Sequence, residues 1–225
     1  EWQVVDDIRD HMLYFLENHD EQRIASDFFC GSAMKAIPAA AMSLFFQKNP
    51  FMLYSGQEFG EKGMDKEGFS GRDGRTTIFD YWSPETLTHA YQEGEEEAYT
   101  AEQKYLAATY RQLLRLANEE KALREGDTFD LMYVNLNGWQ MNEHKQYAFL
   151  RKYGQEVLFI MVNFSDTATQ VAVNVPAHAF EYFKMTPSAQ CNAKDLLTGK
   201  TEKICFTPEV PLARNCLHTV ERFLN

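Results

Sequence analysis

Two short apolar runs in the first half of the chain predict strands. His11–Leu16 is nearly all apolar and ends in the polar cluster Glu17–Asp20, and Pro50–Ser55 is closed by Gly56–Glu58. Runs of this length and composition are typical of strands buried on both faces, as in a parallel sheet. The pattern therefore predicts two buried strands, each followed directly by polar residues.

Helical periodicity follows each of these runs. Ser32–Gln47 is rich in alanine with apolar spacings of three and four, which predicts a helix in which Pro38 kinks the chain or marks the first turn. A second helix is predicted over Ala98–Ala117, where one stripe is apolar and the opposite stripe is basic. The glycine-rich and charged stretch Gly60–Arg75 is longer than ordinary connections, and long loops of this kind are commonly functional.

From Thr128 onward the apolar period changes to two, and no helix is expected there. Turn residues such as Asp166 and Thr198–Gly199 separate the apolar runs, as in an all-β domain. We therefore predict an α/β part over 1–125 and an antiparallel β-sandwich over 126–225. The strand candidates are 128–135, 146–154, 155–165, 169–176, 202–211 and 218–224.

Two strand–helix units cannot close a parallel sheet or cover both of its faces, because such sheets are many-stranded and buried. Residues 1–125 therefore look like the last two units of a larger α/β fold, and the first residue, Glu1, hints that the chain was cut. In a (β/α)8 barrel, active-site residues sit at the carboxyl ends of the strands. Here those ends carry Glu17 and Asp20 on one strand and Glu58 on the other.

Composition narrows the class of partner. The 225 residues include 22 basic and 33 acidic side chains, a net charge of −11, which argues against a nucleic-acid partner. No apolar run of about 18 residues is present, so we expect no membrane span, and no signal peptide is visible. The four cysteines lack the paired short spacings of a zinc site and leave the compartment undetermined.

Carboxylates at strand ends suit glycoside hydrolysis. That reaction needs one carboxyl group to protonate the leaving oxygen and another to attack or to activate water. A third carboxylate can hold sugar hydroxyls, and a neighbouring histidine can donate a hydrogen bond to one of them. Asn18-His19-Asp20 fits this third role, although Asp20 could equally cap a following helix and His19 could be a satisfied core histidine.

These residues resemble the α-amylase family of glycoside hydrolases. Phe15–Asp20 closely resembles the family's fourth signature region, a Phe and two variable residues before Asn-His-Asp, and Arg23 follows at a spacing often seen there. Pro50–Glu61 looks like the eighth barrel strand and its exit, and Gly74–Trp82 is similar to the segment after it in many bacterial members. The resemblance covers the whole chain, as barrel units seven and eight followed by an all-β C-terminal domain.

The resemblance implies a role for each matching residue. Asp20 would be the carboxylate that stabilises the transition state, His19 would bind the same sugar, and Asn18 would be structural, buried and bonded to backbone. Arg23 would pair with a carboxylate or line the cleft. Glu58 would contact substrate or brace the strand exit. Aromatic side chains that would stack on sugar rings or pack at the barrel rim are Tyr81 and Trp82.

The family's nucleophilic Asp and acid Glu lie on barrel strands four and five, which would precede Glu1. We therefore expect the isolated chain to be inactive, while the intact protein would be a retaining hydrolase of α-glucosidic bonds in starch or maltooligosaccharides. The family's calcium would also lie upstream, so no cofactor is expected in this chain. The alternatives are a non-catalytic carbohydrate-binding or scaffold protein derived from the family, and an autonomous β-sandwich interaction module.

A two-unit piece of a barrel should expose the apolar flanks of its strands, and contiguous apolar patches of several hundred Å² tend to bind partners. We therefore expect the chain, when alone, to self-associate through Met12–Leu16 and Pro50–Tyr54.

Overall fold

The structure, a computed structural model, describes residues 5, 7–65, 72–78, 83–92, 98–136, 141–216 and 219–224. The chain divides into two compact units. The first contains Glu1–Leu44 and Asn49–Arg115, and the second contains Phe45–Lys48 and Leu116–Asn225. The sequence pattern changes near residue 125, whereas the two units divide earlier, within a helix.

The first unit contains the parallel strand pair. Strand β1 (Tyr14–Phe15) lies beside β2 (Phe51–Met52), with Tyr14 opposite Phe51 and Phe15 opposite Met52. The parallel pairing agrees with the sequence, but both strands are shorter than the apolar runs. Expected burial on both faces is wrong within the described residues: Leu13 is 49% exposed and Phe15 is 43% exposed. Among the described residues this sheet consists of β1 and β2 alone.

In the described part of the chain, three helices accompany this strand pair. Helix α1 spans Ala36–Phe45 after a 3₁₀ turn over Ala33–Lys35, and Pro38 lies in its first turn, where proline is tolerated. Helix α2 spans Glu85–Tyr91, which the sequence analysis did not predict, and α3 spans Ala101–Glu119. The α1 side chains that are buried recur at spacings of one, three and four: Ala36, Ile37, Pro38, Ala40, Ala41, Leu44 and Phe45.

Helix α3 has the amphipathic pattern read from the sequence. Its buried stripe consists of Leu106, Tyr110, Leu113 and Leu116. Leu114 is half-buried at the edge of this stripe, and the basic side chains Lys104, Arg111 and Arg115 are exposed. A reciprocal capping box closes the first turn, because Gln103 Oε1 accepts the Thr100 N–H at 3.0 Å and Thr100 Oγ1 accepts the Gln103 N–H at 3.2 Å.

The second unit is built on a six-stranded antiparallel sheet in the order β3-β4-β5-β10-β7-β8, beside a two-stranded sheet of β6 and β9. The short helix α4 (Lys121–Arg124) precedes the sheet. The strands are β3 (Asp127–Asp130), β4 (Gln146–Tyr153), β5 (Glu156–Asn163), β6 (Thr169–Val173), β7 (Ser188–Asp195), β8 (Thr201–Phe206), β9 (Leu212–Cys216) and β10 (Thr219–Leu224).

One apolar core joins the two sheets of the second unit. It includes Leu150 and Phe159 of the large sheet and Val171, Val173 and Leu212 of the small one. On its other face, the large sheet packs Phe149 against the Phe46 ring, with centroids 5.1 Å apart in an edge-to-face arrangement. The sheet is therefore covered on both faces, which explains why most of β5 is buried.

The expectation that no helix interrupts the second half is wrong. Helix α5 (Ala177–Phe183) lies between β6 and β7 along the chain and buries Ala179, Phe180 and Phe183 in the same core. These positions are spaced by one and three, a helical pattern that is too short to stand out among strands of period two. Two further strands were not predicted from the sequence, β7, in which only one side chain is buried, and β9.

Candidate functional site

A tight turn follows β1 and carries the Asn-His-Asp motif. The Asn18 Oδ1 atom accepts the backbone N–H groups of Asp20 at 2.8 Å and Glu21 at 2.9 Å. An asparagine that bonds backbone two residues on is a common turn former. The expected backbone bonding of Asn18 is present, whereas its expected burial is not, because a side chain that closes a surface turn stays half-buried.

His19 and Asp20 extend from this turn into solvent. Their side chains are 45% and 70% exposed, and His19 Nε2 lies 3.5 Å from Asp20 Oδ2. Asp20 caps no helix, since the next helical turn begins at Ala33, and the exposure of His19 excludes a core histidine. A carboxylate that accepts hydrogen bonds and an imidazole that can donate one are thus held side by side, an arrangement suited to binding hydroxyl groups.

Beneath the turn lies a buried ion pair. Arg23 Nη1 donates to Glu17 Oε2 at 2.8 Å, and the Ile24 N–H donates to Glu17 Oε1 at 2.8 Å. Glu17 is 2% exposed and Arg23 is 1% exposed. Both oxygens of Glu17 are therefore engaged inside the protein, so this strand-end carboxylate cannot face a substrate.

Arg23 also binds the end of β2 and the loop beyond it. Its Nη2 atom donates to the Ser55 carbonyl at 2.7 Å and to Thr76 Oγ1 at 2.8 Å, and Nε donates to Thr76 Oγ1 at 3.1 Å. The guanidinium carbon lies 4.1 Å from the centre of the Tyr54 ring, in the range of a cation–π contact. The assignment of Arg23 to substrate binding does not fit this geometry, because a guanidinium enclosed on all sides cannot reach a sugar.

The loop segment that receives Arg23 depends on a glycine. The Arg23 N–H donates to the Gly74 carbonyl at 2.7 Å, and Gly74 has a φ of +82°. A Cβ at position 74 would lie 2.7 Å from Ser26 Oγ and 2.8 Å from Ser26 Cβ. Glycine is therefore required both for the left-handed backbone and for the close approach to the segment after the turn.

Burial and neighbouring charges shift the pKa values of two side chains at this site, Glu17 and Tyr110. Burial raises the pKa of the Glu17 carboxyl above its usual range, and the charge of Arg23 with the hydrogen bonds from Arg23 and Ile24 offsets part of that rise. Burial likewise raises the pKa of Tyr110, and the negative charges of Glu17 and Glu58 add to the effect. These side chains thus share one low-dielectric region at the ends of the two strands.

The exit of β2 supplies a second group of polar side chains. Gly56 turns the chain with a φ of 90°, and Gln57 Nε2 then donates to the Tyr110 hydroxyl at 2.8 Å. The next residue, Glu58, is half-buried, and its Oε2 atom is enclosed without a hydrogen-bond partner. A carboxylate oxygen in that condition is a candidate to receive a hydroxyl donor, whether from water or from a ligand.

Glu61 is a buried carboxylate that the sequence analysis did not single out. Its Oε1 atom accepts the Gly63 N–H at 2.8 Å, and its Oε2 atom accepts the Thr86 hydroxyl. Glu61 therefore joins the start of the long loop to helix α2. The sequence feature that could have identified Glu61 is its position five residues after Gly56, at the end of the Pro50–Glu61 segment.

Two aromatic residues that were predicted to contact substrate lie outside the part of the chain that the structure describes. Tyr81 and Trp82 are not among the described residues. Within the described ranges, no group of three or more His, Cys, Asp or Glu side chains could hold a metal ion. No helix in the described part of the chain has the length and apolar character needed to cross a membrane.

Solved structures of α-amylase family enzymes share this fold. A maltogenic α-amylase from Thermotoga neapolitana is 14% identical with a TM-score of 0.58, and the match covers 100% of this chain and 45% of that one. An α-amylase from Geobacillus thermoleovorans, complexed with acarbose, is 16% identical with a TM-score of 0.59, covering 95% and 39%. A trehalose-6-phosphate hydrolase from Bacillus licheniformis is 17% identical with a TM-score of 0.56, covering 99% and 46%.

These likenesses confirm the resemblance to the α-amylase family at the level of the fold. The chain spans less than half the length of the three structures, and the identities are too low to carry more than the architecture. No family model matches the sequence, and no curated protein matches it.

Proposed function

We propose that this chain is the C-terminal part of a retaining glycoside hydrolase that acts on α-glucans such as starch or maltooligosaccharides. In this proposal the first unit is the last two strand–helix units of a (β/α)8 barrel, and the second unit is the β-sandwich domain that follows it. The observation that carries the proposal is the exposed His19–Asp20 pair, held on a fixed turn at the carboxyl end of a parallel strand.

Asp20 would accept hydrogen bonds from hydroxyl groups of the sugar at the cleaved bond, and His19 would donate one. Such contacts accelerate the reaction when they tighten as the sugar ring changes shape toward the oxocarbenium-like transition state. Glu58, whose enclosed Oε2 atom lacks a partner, would approach the same substrate or brace the strand exit. Tyr81 and Trp82 are proposed to stack on sugar rings.

The nucleophile and the general acid would come from a part of the protein outside these 225 residues. A retaining mechanism needs both groups in one closed site, so the 225-residue chain is expected to be inactive by itself. We also place the family's calcium ion outside this chain.

The exposed strand pair leads to a related proposal. Leu13 and Phe15 are 49% and 43% exposed, and in a complete barrel the neighbouring strands would cover them. The chain by itself should therefore self-associate through Met12–Leu16 and Pro50–Tyr54. Light scattering after size exclusion would test this, since Leu13→Ser should shift the chain toward monomer. A monomer for the unmodified chain at micromolar concentration would contradict the proposal.

Substitution of Asp20 tests the main proposal. In the complete natural protein, Asp20→Asn should lower kcat on a chromogenic maltooligosaccharide by about 100-fold or more, since a preorganised charged group commonly contributes that much. Asp27→Asn, the same change at an exposed position of the following segment, should leave kcat within about twofold. A complete protein that binds maltooligosaccharides without hydrolysing them would favour the non-catalytic alternative.

A further inference from the structure

We infer that Glu17 and Arg23 are positioning residues whose buried ion pair holds Asp20 in place for the reaction. This inference rests on the proposed function and deepens it, because it assigns to the floor of the turn a part in setting the catalytic geometry. Neither side chain touches the substrate, and both act through the backbone of the turn.

The pair closes the base of the turn. Glu17 directly precedes Asn18 and Arg23 follows Asp20 by three residues, so the 2.8 Å contact between Arg23 Nη1 and Glu17 Oε2 joins the two ends of the segment that carries the motif. The second oxygen of Glu17 accepts the Ile24 N–H, which adds a backbone anchor on the far side. The ends of the turn are thus fixed independently of the Asn18 bonds across its top.

Arg23 connects this base to the neighbouring strand. Its bond to the Ser55 carbonyl fixes the chain three residues before Glu58, and its bonds to Thr76 fix the returning loop. The carboxylates of Asp20 and Glu58 are therefore positioned relative to each other through one guanidinium. A planar fork with donors in fixed directions can hold several acceptors at once, which an ammonium group on a flexible stem does less well.

Replacement of Glu17 by Gln should keep the shape and remove the charge-assisted bonds. In the complete natural protein we expect Glu17→Gln to lower kcat by about 10- to 100-fold with KM changed less than about threefold, because small misplacements of a catalytic group have effects of this size. Glu21→Gln is the matched control, since Glu21 is exposed on the same turn and its side chain has no part in the pair.

A double-mutant cycle separates positioning from a merely structural role. If Glu17 acts through Asp20, then Glu17→Gln should lower kcat far less in a protein that already carries Asp20→Asn than in the wild type. Thr76→Val is a milder variant that removes an acceptor of Arg23, and it should reduce kcat in the same direction without preventing folding. Equal losses of kcat from Glu17→Gln in both backgrounds would overturn the inference.

A spectroscopic measurement on the 225-residue chain keeps the inference testable apart from activity. The backbone amide of Asp20 donates to Asn18 Oδ1, so its NMR resonance reports the geometry of the turn. Glu17→Gln should shift this resonance, whereas Asp27→Asn should not. An unmoved Asp20 resonance would refute the inference even if the complete protein proved inactive, and inactivity of the wild type alone would count against the proposed function.

Discussion

Arg151 lies at the centre of the second unit and offers the sharpest test of what stabilises that unit. The side chain is 0% exposed and has no carboxylate bonded to it among the described residues. Its nitrogen atoms donate instead to Thr128 Oγ1 and to five backbone carbonyls at 2.7–3.2 Å, those of Phe45, Phe46, Ala122, Leu123 and Gly126.

These carbonyls lie at the ends of two helices, where backbone acceptors lack partners within the helix. Phe45 is the last residue of α1, and Leu123 lies near the end of α4. Arg151 therefore ties the end of α1 and the end of α4 to strand β4. Burial lowers the pKa of Arg151 to about 10, and the guanidinium is still charged at neutral pH.

Arg151→Met should lower the free energy of unfolding because it would leave buried carbonyl oxygens without a hydrogen-bond donor. An unsatisfied buried polar group costs about 1–3 kcal/mol, so five carbonyls give at least about 5 kcal/mol before relaxation. Removal of a buried charge returns part of this, because desolvation of the guanidinium opposes folding. We expect a net loss of about 3–5 kcal/mol, a large fraction of the roughly 5–15 kcal/mol that stabilises a typical domain.

Urea unfolding followed by circular dichroism measures this loss as a shift of the midpoint at constant slope. Arg124→Met is the matched control, since Arg124 is half exposed and its ion pair with Glu125 should contribute less than about 1 kcal/mol. Arg151→Lys should fall between the two, because an ammonium group has only three donors. A loss below about 1 kcal/mol for Arg151→Met would refute the argument that these carbonyls depend on the guanidinium.

Three further outcomes are expected from the same unfolding assay. Gly126→Ala should cost about 2–3 kcal/mol, because the new Cβ would lie 2.3 Å from the Ala122 oxygen and 2.6 Å from the Lys152 oxygen; no loss would mean that the two backbones can separate. Tyr110→Phe should cost about 1–3 kcal/mol by leaving the Gln57 amide without its acceptor, while Tyr105→Phe on the exposed side of α3 should be neutral. The raised pKa of Glu17 makes the folded state bind more protons than the unfolded state above pH 4.5. The free energy of unfolding of the wild type, relative to Glu17→Gln, should therefore fall as the pH rises from 4.5 toward neutrality. A relative gain would contradict the direction of that pKa shift.

The sequence predicted those parts of the fold that repeat a pattern over enough residues. Helix α3 was found because its buried stripe recurs over about three turns, and β4 and β5 because their apolar runs are long and bounded by turn residues. Helix α5 was missed since seven residues between strands give only two turns of helical period. Strand β7 was missed because only one of its eight side chains is buried, so pairing with β10 and β8 determines its place rather than an apolar pattern.

At the site, the sequence identified the strand ends but could not assign the carboxylates that lie there. Glu17, Asp20 and Glu58 look alike as acidic residues after apolar runs, yet their surroundings differ completely. Glu17 is enclosed by Arg23 and the Ile24 amide, Asp20 is 70% exposed, and Glu58 keeps one enclosed oxygen without a partner. The partners of Glu17 lie only six and seven residues along the chain, but Arg23 is itself held by Ser55 and Thr76, which are 32 and 53 residues from it, and no local pattern encodes those contacts.

The difference in burial among these carboxylates has a physical reason: the buried Glu17–Arg23 ion pair lies beneath the exposed Asp20. Under the proposed function Asp20 meets sugar hydroxyls, so it has to remain solvated and ionised, and burial cannot fix its position. The turn that carries Asp20 is therefore fixed from below, where Arg23 bonds to Glu17 and to two neighbouring segments, at Ser55 and Thr76. An apolar floor of equal volume could stabilise the unit as well, but it would lack the directional bonds that fix where the turn begins and ends.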